Sequence, residues 1–426
     1  MIDISCDVMV IGAGHAGMAA ALFAAQKGLS VAQAGTTGGI DFGSGFIDVL
    51  GVHPTAKLLE HDDPWSAMDS LRREIPDHPY ARLKTDEIKE SLREFIAFLD
   101  AQGLPYGGDG KSNLRLPTPA GTVKRTCRAP QTMIPGADAL ASKAPCLAVA
   151  FDGLKGFSGH QLTETLGRHW PALKSATIRF PGLDGELFPE HMALALSDAK
   201  RREALAEAVR PHLGDAQYVA FPAMLGILDC TKVTTHLSQL LGATVFEIPT
   251  LPPPIMGTRL RAAFDRGLPV LGVRTLSQKT VRGTQKHPSG GFTFTVGGAR
   301  DEYRVSARSA ILATGRFFGK GLRQEMHGIR ETVFDIPVAQ PSGPDEWYSQ
   351  EFFDPKGHPA DRSGVRFDSS FRPLGPDGQV YHQNLRAAGA ILCGHDWIRE
   401  KCGTGLAVAT AWKAVQSLTE QLEGGN

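Results

Sequence analysis

Asp7-Val8-Met9-Val10-Ile11-Gly12-Ala13-Gly14-His15-Ala16-Gly17 decides the fold: an apolar run is cut short by three glycines and followed by an alanine-rich segment. The pattern predicts a strand, a tight turn and the N-terminus of a helix. Gly12 permits the turn, Gly14 lets backbone amides approach a phosphate closely, and Gly17 lets the helix pack on the strand, while the helix dipole favours an anion. His15 stands at the same helix start. Three glycines at this spacing also serve a plain strand-to-helix turn, so the stretch offers a phosphate site without saying whose phosphate it is.

Immediately outward, the helix runs from about His15 to Lys27 and stops at Gly28, a suitable C-terminal cap. A second strand follows from Leu29 to Ala34. In a dinucleotide-binding unit an acid about 20 residues beyond the glycines holds the adenosine ribose. Here the chain reads Gln33-Ala34-Gly35-Thr36-Thr37, which argues against NAD and weakens the case for the adenosine half of FAD. Next, Gly43, Ser44 and Gly45 suit a loop lying close against a planar cofactor, because missing side chains let the backbone approach. A surface loop is the alternative, although Phe46, Ile47, Val49 and Leu50 read as buried.

Composition narrows the class. With 426 residues, 42% hydrophobic and 21% charged, the chain can build two or three domains around substantial cores. Lys+Arg and Asp+Glu balance at 45 each, so no global field draws it to nucleic acid or an anionic membrane. The acidic start Met1-Ile2-Asp3-Ile4-Ser5-Cys6-Asp7 lacks a basic flank and a cleavable apolar region, giving an expectation of a cytoplasmic protein. The apolar run from Tyr218 to Leu228 falls short of the roughly 20 residues of a membrane helix, so membrane attachment would come through another polypeptide. The six cysteines form no Cys-x-x-Cys pair, which predicts no iron–sulfur centre and no metal site in this chain. Cys402 stands apart, inside a glycine-rich segment.

From residue 51 the texture changes. Asp63-Pro64 starts one helix and Thr85 another, the latter with Ile88, Leu92, Phe95, Ile96 and Leu99 at helical spacing up to Gly103. A hairpin turns at Pro119-Ala120-Gly121, strands are expected at Cys146–Phe151 and Ala176–Phe180, Ser158 caps a helix, and Pro189–Leu213 reads as an exposed helix. These segments suggest an α+β cap. The run Phe246-Glu247-Ile248-Pro249-Thr250-Leu251-Pro252-Pro253-Pro254 then makes a stiff connector into a helix bearing Arg259, Arg261 and Arg266. After short β segments, Ser309-Ala310-Ile311-Leu312-Ala313-Thr314-Gly315 is again a strand and a tight turn. Near the end, a strand from Leu385 to Leu392 delivers Gly394-His395-Asp396, and Gly403-Thr404-Gly405 opens a helix to about Leu422. That helix would direct its positive end at a flavin and make reduction easier. Asp396 reads equally as a helix cap, and His395 as a core histidine.

Together, Gly12-x-Gly14-x-x-Gly17 and Ile311-Leu312-Ala313-Thr314-Gly315 resemble the two-part core of flavoprotein oxidoreductases. The longer composites are similar to the family of B subunits of anaerobic glycerol-3-phosphate dehydrogenase: Glu247-Ile-Pro-Thr-Leu-Pro-Pro-Pro with Gly257 and Arg259-Leu260, Ala313 through Phe318, His327 through Glu331, and Asn384 through Ala390 with Gly394-His395-Asp396 and Cys402-Gly403-Thr404-Gly405. Two positions depart from the family pattern: His395 replaces a more typical aromatic or apolar residue, and 402–405 is less glycine-rich. The resemblance implies a Rossmann-like α/β fold of the FAD/NAD(P)-binding type with an inserted α+β cap, the flavin domain taking 1–50, 246–316 and 375–426 and the cap 51–245 and 317–374.

It further implies a flavin subunit, assigned FMN with FAD as the alternative, that oxidises sn-glycerol 3-phosphate to dihydroxyacetone phosphate and passes electrons toward quinone. A sister FAD subunit and an iron–sulfur subunit in contact with the inner membrane would be its partners, placing it at that membrane's periphery. The flavin would be held by Gly12, Gly14, His15, Gly17, Gly43, Ser44, Gly45, Thr314, Gly315, Gly394, Gly403, Thr404 and Gly405. His395, Asp396 and His53 are candidates for proton transfer, and Arg259, Arg316 and Arg372 for the substrate phosphate. Two other readings stay open: a non-catalytic relay or docking subunit on the same fold, and a fumarate-reductase-like flavoenzyme.

Overall fold

The computed structural model describes residues 1–36, 38–288 and 290–424. Thr37, the last residue of the acid-free stretch, lies outside them. The chain divides into two compact units, the first comprising 1–40, 48–95 and 264–426 and the second 41–47 and 96–263.

In the first unit the strand Ile2–Ile11 lies at the centre of a seven-stranded sheet. Val8, Met9, Val10 and Ile11 are all buried. An unbroken apolar run of this kind belongs in a parallel sheet covered on both faces, and the strand is indeed parallel to Val31–Gly35 on one side and Asp301–Leu312 on the other. Arg274–Ser277 extends the parallel part, Leu385–Ala387 pairs parallel with the end of Asp301–Leu312, and Phe292–Gly297 and Thr280–Lys286 continue antiparallel. The helix His15–Gln26 is buried from Ala16 to Ala24 without a polar stripe, so it must be covered all round. The C-terminal helix Gly403–Gly424 covers one side of it.

Segments 51–95 and 317–374 fall within this unit, whereas the sequence reading assigns them to the cap. Polar ties to the C-terminal helix explain their placement. Lys413 donates to Glu87 at 2.7 Å and Trp412 Nε1 to Glu94 at 3.1 Å, fastening the helix that starts at Thr85. Ser417 donates to the Ser370 carbonyl at 2.8 Å. Asp63 caps Pro64–Glu74 by accepting the Trp65 and Ser66 amides.

The second unit carries a four-stranded, all-parallel sheet in the order Thr244–Ile248, Tyr218–Pro222, Cys146–Phe151, Leu173–Ile178. Helices connect its strands, so the connectivity of this sheet is α/β rather than the α+β arrangement expected from the succession of segments. The fully buried strand Cys146–Phe151 carries the parallel signature again. Phe151, Phe180 and Phe221 fill its core, each contributing about 1.5–3 kcal/mol by burial. The expected single helix over 189–213 is two, Pro189–Ala195 and Ala199–Leu213, because Asp198 caps the second by accepting the Lys200 amide at 3.0 Å.

Candidate functional site

Three loops leave the sheet side by side. Ile11 is in register with Leu312, and Leu312 with Ala387, so Gly12, Ala313-Thr314-Gly315 and Ala388-Gly389 all emerge at the carboxyl ends of adjacent parallel strands. That edge is where open α/β sheets bind ligands. Gly12 donates to the Ala34 carbonyl at 2.8 Å, Ala313 to Ile11 at 2.8 Å and Ala388 to Leu312 at 3.0 Å, fixing the loops to their neighbours.

The turn itself is packed backbone on backbone. Gly12 has φ +136, and a Cβ there would meet the Ala313 carbonyl oxygen at 2.2 Å; one on Gly17 would meet the Gly12 oxygen at 2.2 Å. Gly14 differs, its nearest neighbour to such an atom being the Gly39 nitrogen at 3.9 Å. Gly14 also serves as the N-cap of His15–Gln26 with no side-chain cap, leaving that end to an outside acceptor. In the next loop the Thr314 hydroxyl is buried without a hydrogen-bond partner. An open glycine face, an uncapped helix start and an orphaned hydroxyl fit the phosphate of a flavin nucleotide. Gln33, near the end of the strand Val31–Gly35 where a ribose-binding acid would stand, is buried and donates to the Gly12 carbonyl at 3.1 Å, bracing the turn instead.

The same unit contains the C-terminal segment. Gly403 begins the last helix, Gly405 donates to the Asp48 carbonyl at 2.8 Å, and Thr404 is partly exposed between them. Gly389 would strike Ala16 at 2.5 Å with any side chain, a close approach that joins this segment to the first helix. His395 is fully buried, its ring edge-on to His78 with centroids 5.9 Å apart. Burial, then the Arg316 charge, holds its imidazole well below the ordinary histidine range, so it stays neutral. Asp396 is the N-cap of Trp397–Glu400, accepting the Arg399 amide at 3.2 Å and pairing with that guanidinium; burial raises its carboxyl.

Several candidates have partners of their own in the fold. Arg259 is fully buried within the second unit, where Nη1 and Nη2 donate to Glu247 at 2.7 and 2.8 Å and Nε to the Gly226 carbonyl at 2.9 Å. Buried and locked to Glu247, this guanidinium is not presented to a substrate phosphate. Burial pushes the Glu247 carboxyl up, but Arg259 and the Thr132 hydroxyl outweigh it and hold it below its ordinary value. Arg316 is buried too, and its Nη2 donates to the Leu392 and His395 carbonyls at 3.0 and 2.9 Å, which makes it a brace for 392–395. Arg372 pairs with Asp368 at 2.7 Å and donates to Gln383. His53 lies 3.0 Å from the Glu74 carboxylate, and burial lowers its pKa. Gly43, Ser44 and Gly45 belong to the second unit, where a Cβ on Gly45 would hit the Met256 side chain at 2.6 Å and the Gly45 carbonyl accepts the Tyr106 hydroxyl.

His78, Glu400 and Cys402 bring a ring nitrogen, a carboxylate oxygen and a thiol within 4.8 Å of one another. Their protons are accounted for. Tyr80 donates its amide to His78 Nδ1 at 3.0 Å, so the imidazole proton sits on Nε2 and faces Glu400 at 3.1 Å. The Cys402 thiol donates to the same carboxylate, and burial keeps it protonated.

Sequence reasoning missed the cavity beside Gly394. It holds about 500 Å³, within the range of small-molecule sites, and Arg82, Arg362, Ser363, Arg366, Cys393 and Gly394 line it with apolar walls from Phe367 and Leu374. The pair of arginines bracketing Ser363-Gly364 was its one visible signal.

Residues 7–406 match the family model described as FAD binding domain. The chain is similar to the B subunit of anaerobic glycerol-3-phosphate dehydrogenase of Vibrio cholerae, 30% identical over 97% of this chain and 96% of that protein. It is also similar to the probable B subunit of anaerobic glycerol-3-phosphate dehydrogenase of Halobacterium salinarum, 33% identical over 98% and 99%. A flavocytochrome c3 fumarate reductase in open conformation matches at 11% identity and a TM-score of 0.43, covering 98% of this chain and 78% of that one, a likeness too weak to bear on function. The fold is that of FAD-binding oxidoreductases, and the chain belongs to the family of flavin-dependent B subunits of anaerobic glycerol-3-phosphate dehydrogenase.

Proposed function

We propose that this chain oxidises the secondary alcohol of sn-glycerol 3-phosphate to the ketone of dihydroxyacetone phosphate, as one member of a complex that passes the electron pair toward quinone. The convergence of the Gly12, Thr314 and Gly389 loops at one sheet edge carries this reading. A bound flavin supplies the hydride acceptor. The family description favours FAD over FMN. With Gln33 bracing the turn, retention of the adenosine half rests on the pyrophosphate at Gly14 and the first helix.

The chain's own residues then have to hold the alcohol and take its hydroxyl proton. His395 is the candidate with a neutral ring, one residue from the cavity wall at Gly394. Asp396 pairs with Arg399, and His53 Nε2 lies 3.0 Å from the Glu74 carboxylate, so neither is assigned the proton transfer in this reading. The relatives' names specify one subunit of several, which supports further subunits as partners; a sister flavin subunit and an iron–sulfur subunit are the partners this reading assigns. Among the described residues no helix is long and apolar enough to cross a membrane.

Denaturing the purified chain and identifying the released flavin by mass spectrometry tests the cofactor. FAD supports the reading, FMN revises the nucleotide, and no flavin turns the chain into a scaffold. Anaerobic bleaching of the flavin by glycerol 3-phosphate, without a sister chain, tests the chemistry; a bound flavin that stays oxidised would assign this chain to electron relay.

A further inference from the structure

We infer that the cavity beside Gly394 is an anion subsite that takes the phosphoryl group of a small phosphate monoester. The inference deepens the dehydrogenase reading, on which its choice of ester rests.

Charge is the first reason. Three guanidinium groups, Arg82, Arg362 and Arg366, line the cavity against one carboxylate, Asp77, which is largely exposed and 4.0 Å from Arg82. Elsewhere in this unit Arg372 is paired with Asp368, Arg399 with Asp361 and Asp396, and Arg330 with Asp335, while the buried Arg316 and Arg386 donate to neutral groups. Among the described residues the Arg362 and Arg366 side chains have neither an ion pair nor a hydrogen bond. Unpaired guanidinium forks facing one cavity match the oxygens of a phosphate dianion, which can accept from several donors at once.

A buried donor is the second reason. Ser363 is 1% exposed, lines the cavity, and its hydroxyl has no hydrogen-bond partner. A buried hydroxyl left unmade costs about 1–3 kcal/mol, a cost that a bound oxyanion removes. Preorganisation is the third. Gly364 lies so close to 391–393 that a Cβ would meet the Ile391 oxygen at 2.5 Å and the Cys393 nitrogen at 2.6 Å. Gly394 donates to the Arg362 carbonyl at 3.0 Å, and Ser363 to Ala360 at 3.0 Å. The backbone between the two arginines is therefore fixed before any ligand arrives.

Calorimetric titration of the purified holoprotein tests the site with sn-glycerol 3-phosphate, inorganic phosphate, glycerol and succinate as probes. The expected order places the ester first, at least tenfold tighter than phosphate, with glycerol and succinate weakest. Equal affinity for ester and phosphate would overturn the ester assignment, and succinate binding as tightly as the ester would replace phosphate by a dicarboxylate. Arg362→Ala and Arg366→Ala should each weaken the ester at least tenfold, and Ser363→Ala several-fold, with flavin content and melting temperature retained. Arg362→Lys guards against a folding defect and should keep part of the affinity. A folded Arg362→Ala/Arg366→Ala double variant that binds the ester like the parent would sink the proposal. The two readings separate cleanly: an ester that binds through these arginines but never bleaches the flavin overturns the dehydrogenase and leaves the subsite. Bleaching with an unchanged KM in the double variant does the reverse.

Discussion

Two buried arginines, one in each unit, are used in opposite ways. Arg259 in the second unit meets Glu247 through both terminal nitrogens and the Gly226 carbonyl through Nε, while Glu247 also accepts the Met224 and Leu225 amides. Its charge is wholly absorbed. Arg316 in the first unit contacts only neutral groups, the Leu392 and His395 carbonyls and the His395 ring, its Nε has no partner, and burial lowers its pKa to about 10 against the pull of Asp396, Asp361 and Glu400. The second unit thus satisfies Arg259 with a closed ion pair, although it too holds a buried hydroxyl without a partner, Thr250 Oγ1. The first keeps orphaned polar atoms, Thr314 Oγ1, Arg316 Nε and Ser363 Oγ, in the loops that surround its sheet edge and cavity.

The largest test of that difference lies in the glycine turn. Gly12→Val places its side chain into the Ala313 carbonyl at a φ that branched residues avoid, so the protein should be recovered without flavin or not recovered folded. Gly14→Ala sharpens the result, because its methyl finds open space. It should melt like the parent yet hold flavin at least tenfold more weakly, measured by flavin absorbance after gel filtration. Full flavin retention in Gly14→Ala would remove the phosphate from this turn.

Next in size is the ion pair. Arg259→Met strands the Glu247 carboxylate and should cost about 3–5 kcal/mol in urea unfolding, whereas Arg259→Met with Glu247→Gln should return part of it, since the uncharged side chain still accepts the Met224 and Leu225 amides. Arg316→Met strands only carbonyls and should cost about 1–3 kcal/mol. Equal losses at the two arginines would erase the contrast between closed and open units.

How legible this was in the sequence follows from the same contrast. Features written in local backbone chemistry could be read: the strand and helix around Gly12, the Asp63 cap, the Thr85 helix, the hairpin at Gly121 and the strand Cys146–Phe151. Two of the three loops at the sheet edge could be foreseen from Gly12 and Gly315, whereas Gly389 falls inside the expected strand from Leu385 to Leu392, which ends at Ala387. Arginine roles could not be foreseen. Arg259 lies in a proline-and-glycine composite that reads like a ligand segment, but its partner Glu247 is twelve residues away across a strand and a turn, and only the fold shows the fork closing. Arg362 and Arg366 had no motif, since the property that marks them is a missing partner. Glu331, likewise in a composite the family shares, is a local brace: it accepts the Val333, Phe334 and Ile336 amides, while burial raises its carboxyl.

A smaller effect should appear with pH. His395 is held neutral by burial and by Arg316, with Arg362 adding in the same sense, while an unfolded chain protonates this histidine below its ordinary 6.5. Unfolding therefore takes up a proton there, and stability falls as the pH drops through 6.5. His395→Asn removes that uptake. Between pH 7.5 and 5.5 its unfolding free energy should fall by about 1 kcal/mol less than that of the parent, read from paired urea titrations. An identical fall in both proteins would mean that His395 is protonated in the fold and unavailable as a proton acceptor.

Arg372 should give the smallest effect, and the difference between units depends on it. Its guanidinium faces Asp368 at 2.7 Å and Gln383 at 2.6 Å, and its side chain remains 28% exposed. A partly solvated pair of this kind is worth under about 1 kcal/mol. Arg372→Ala should melt within a few degrees of the parent and bind glycerol 3-phosphate unchanged, because an arginine already paired has nothing further to offer an anion. If it weakened the ester as much as Arg366→Ala does, pairing would no longer distinguish structural arginines from binding ones, and the cavity beside Gly394 would lose its claim over the rest of the surface.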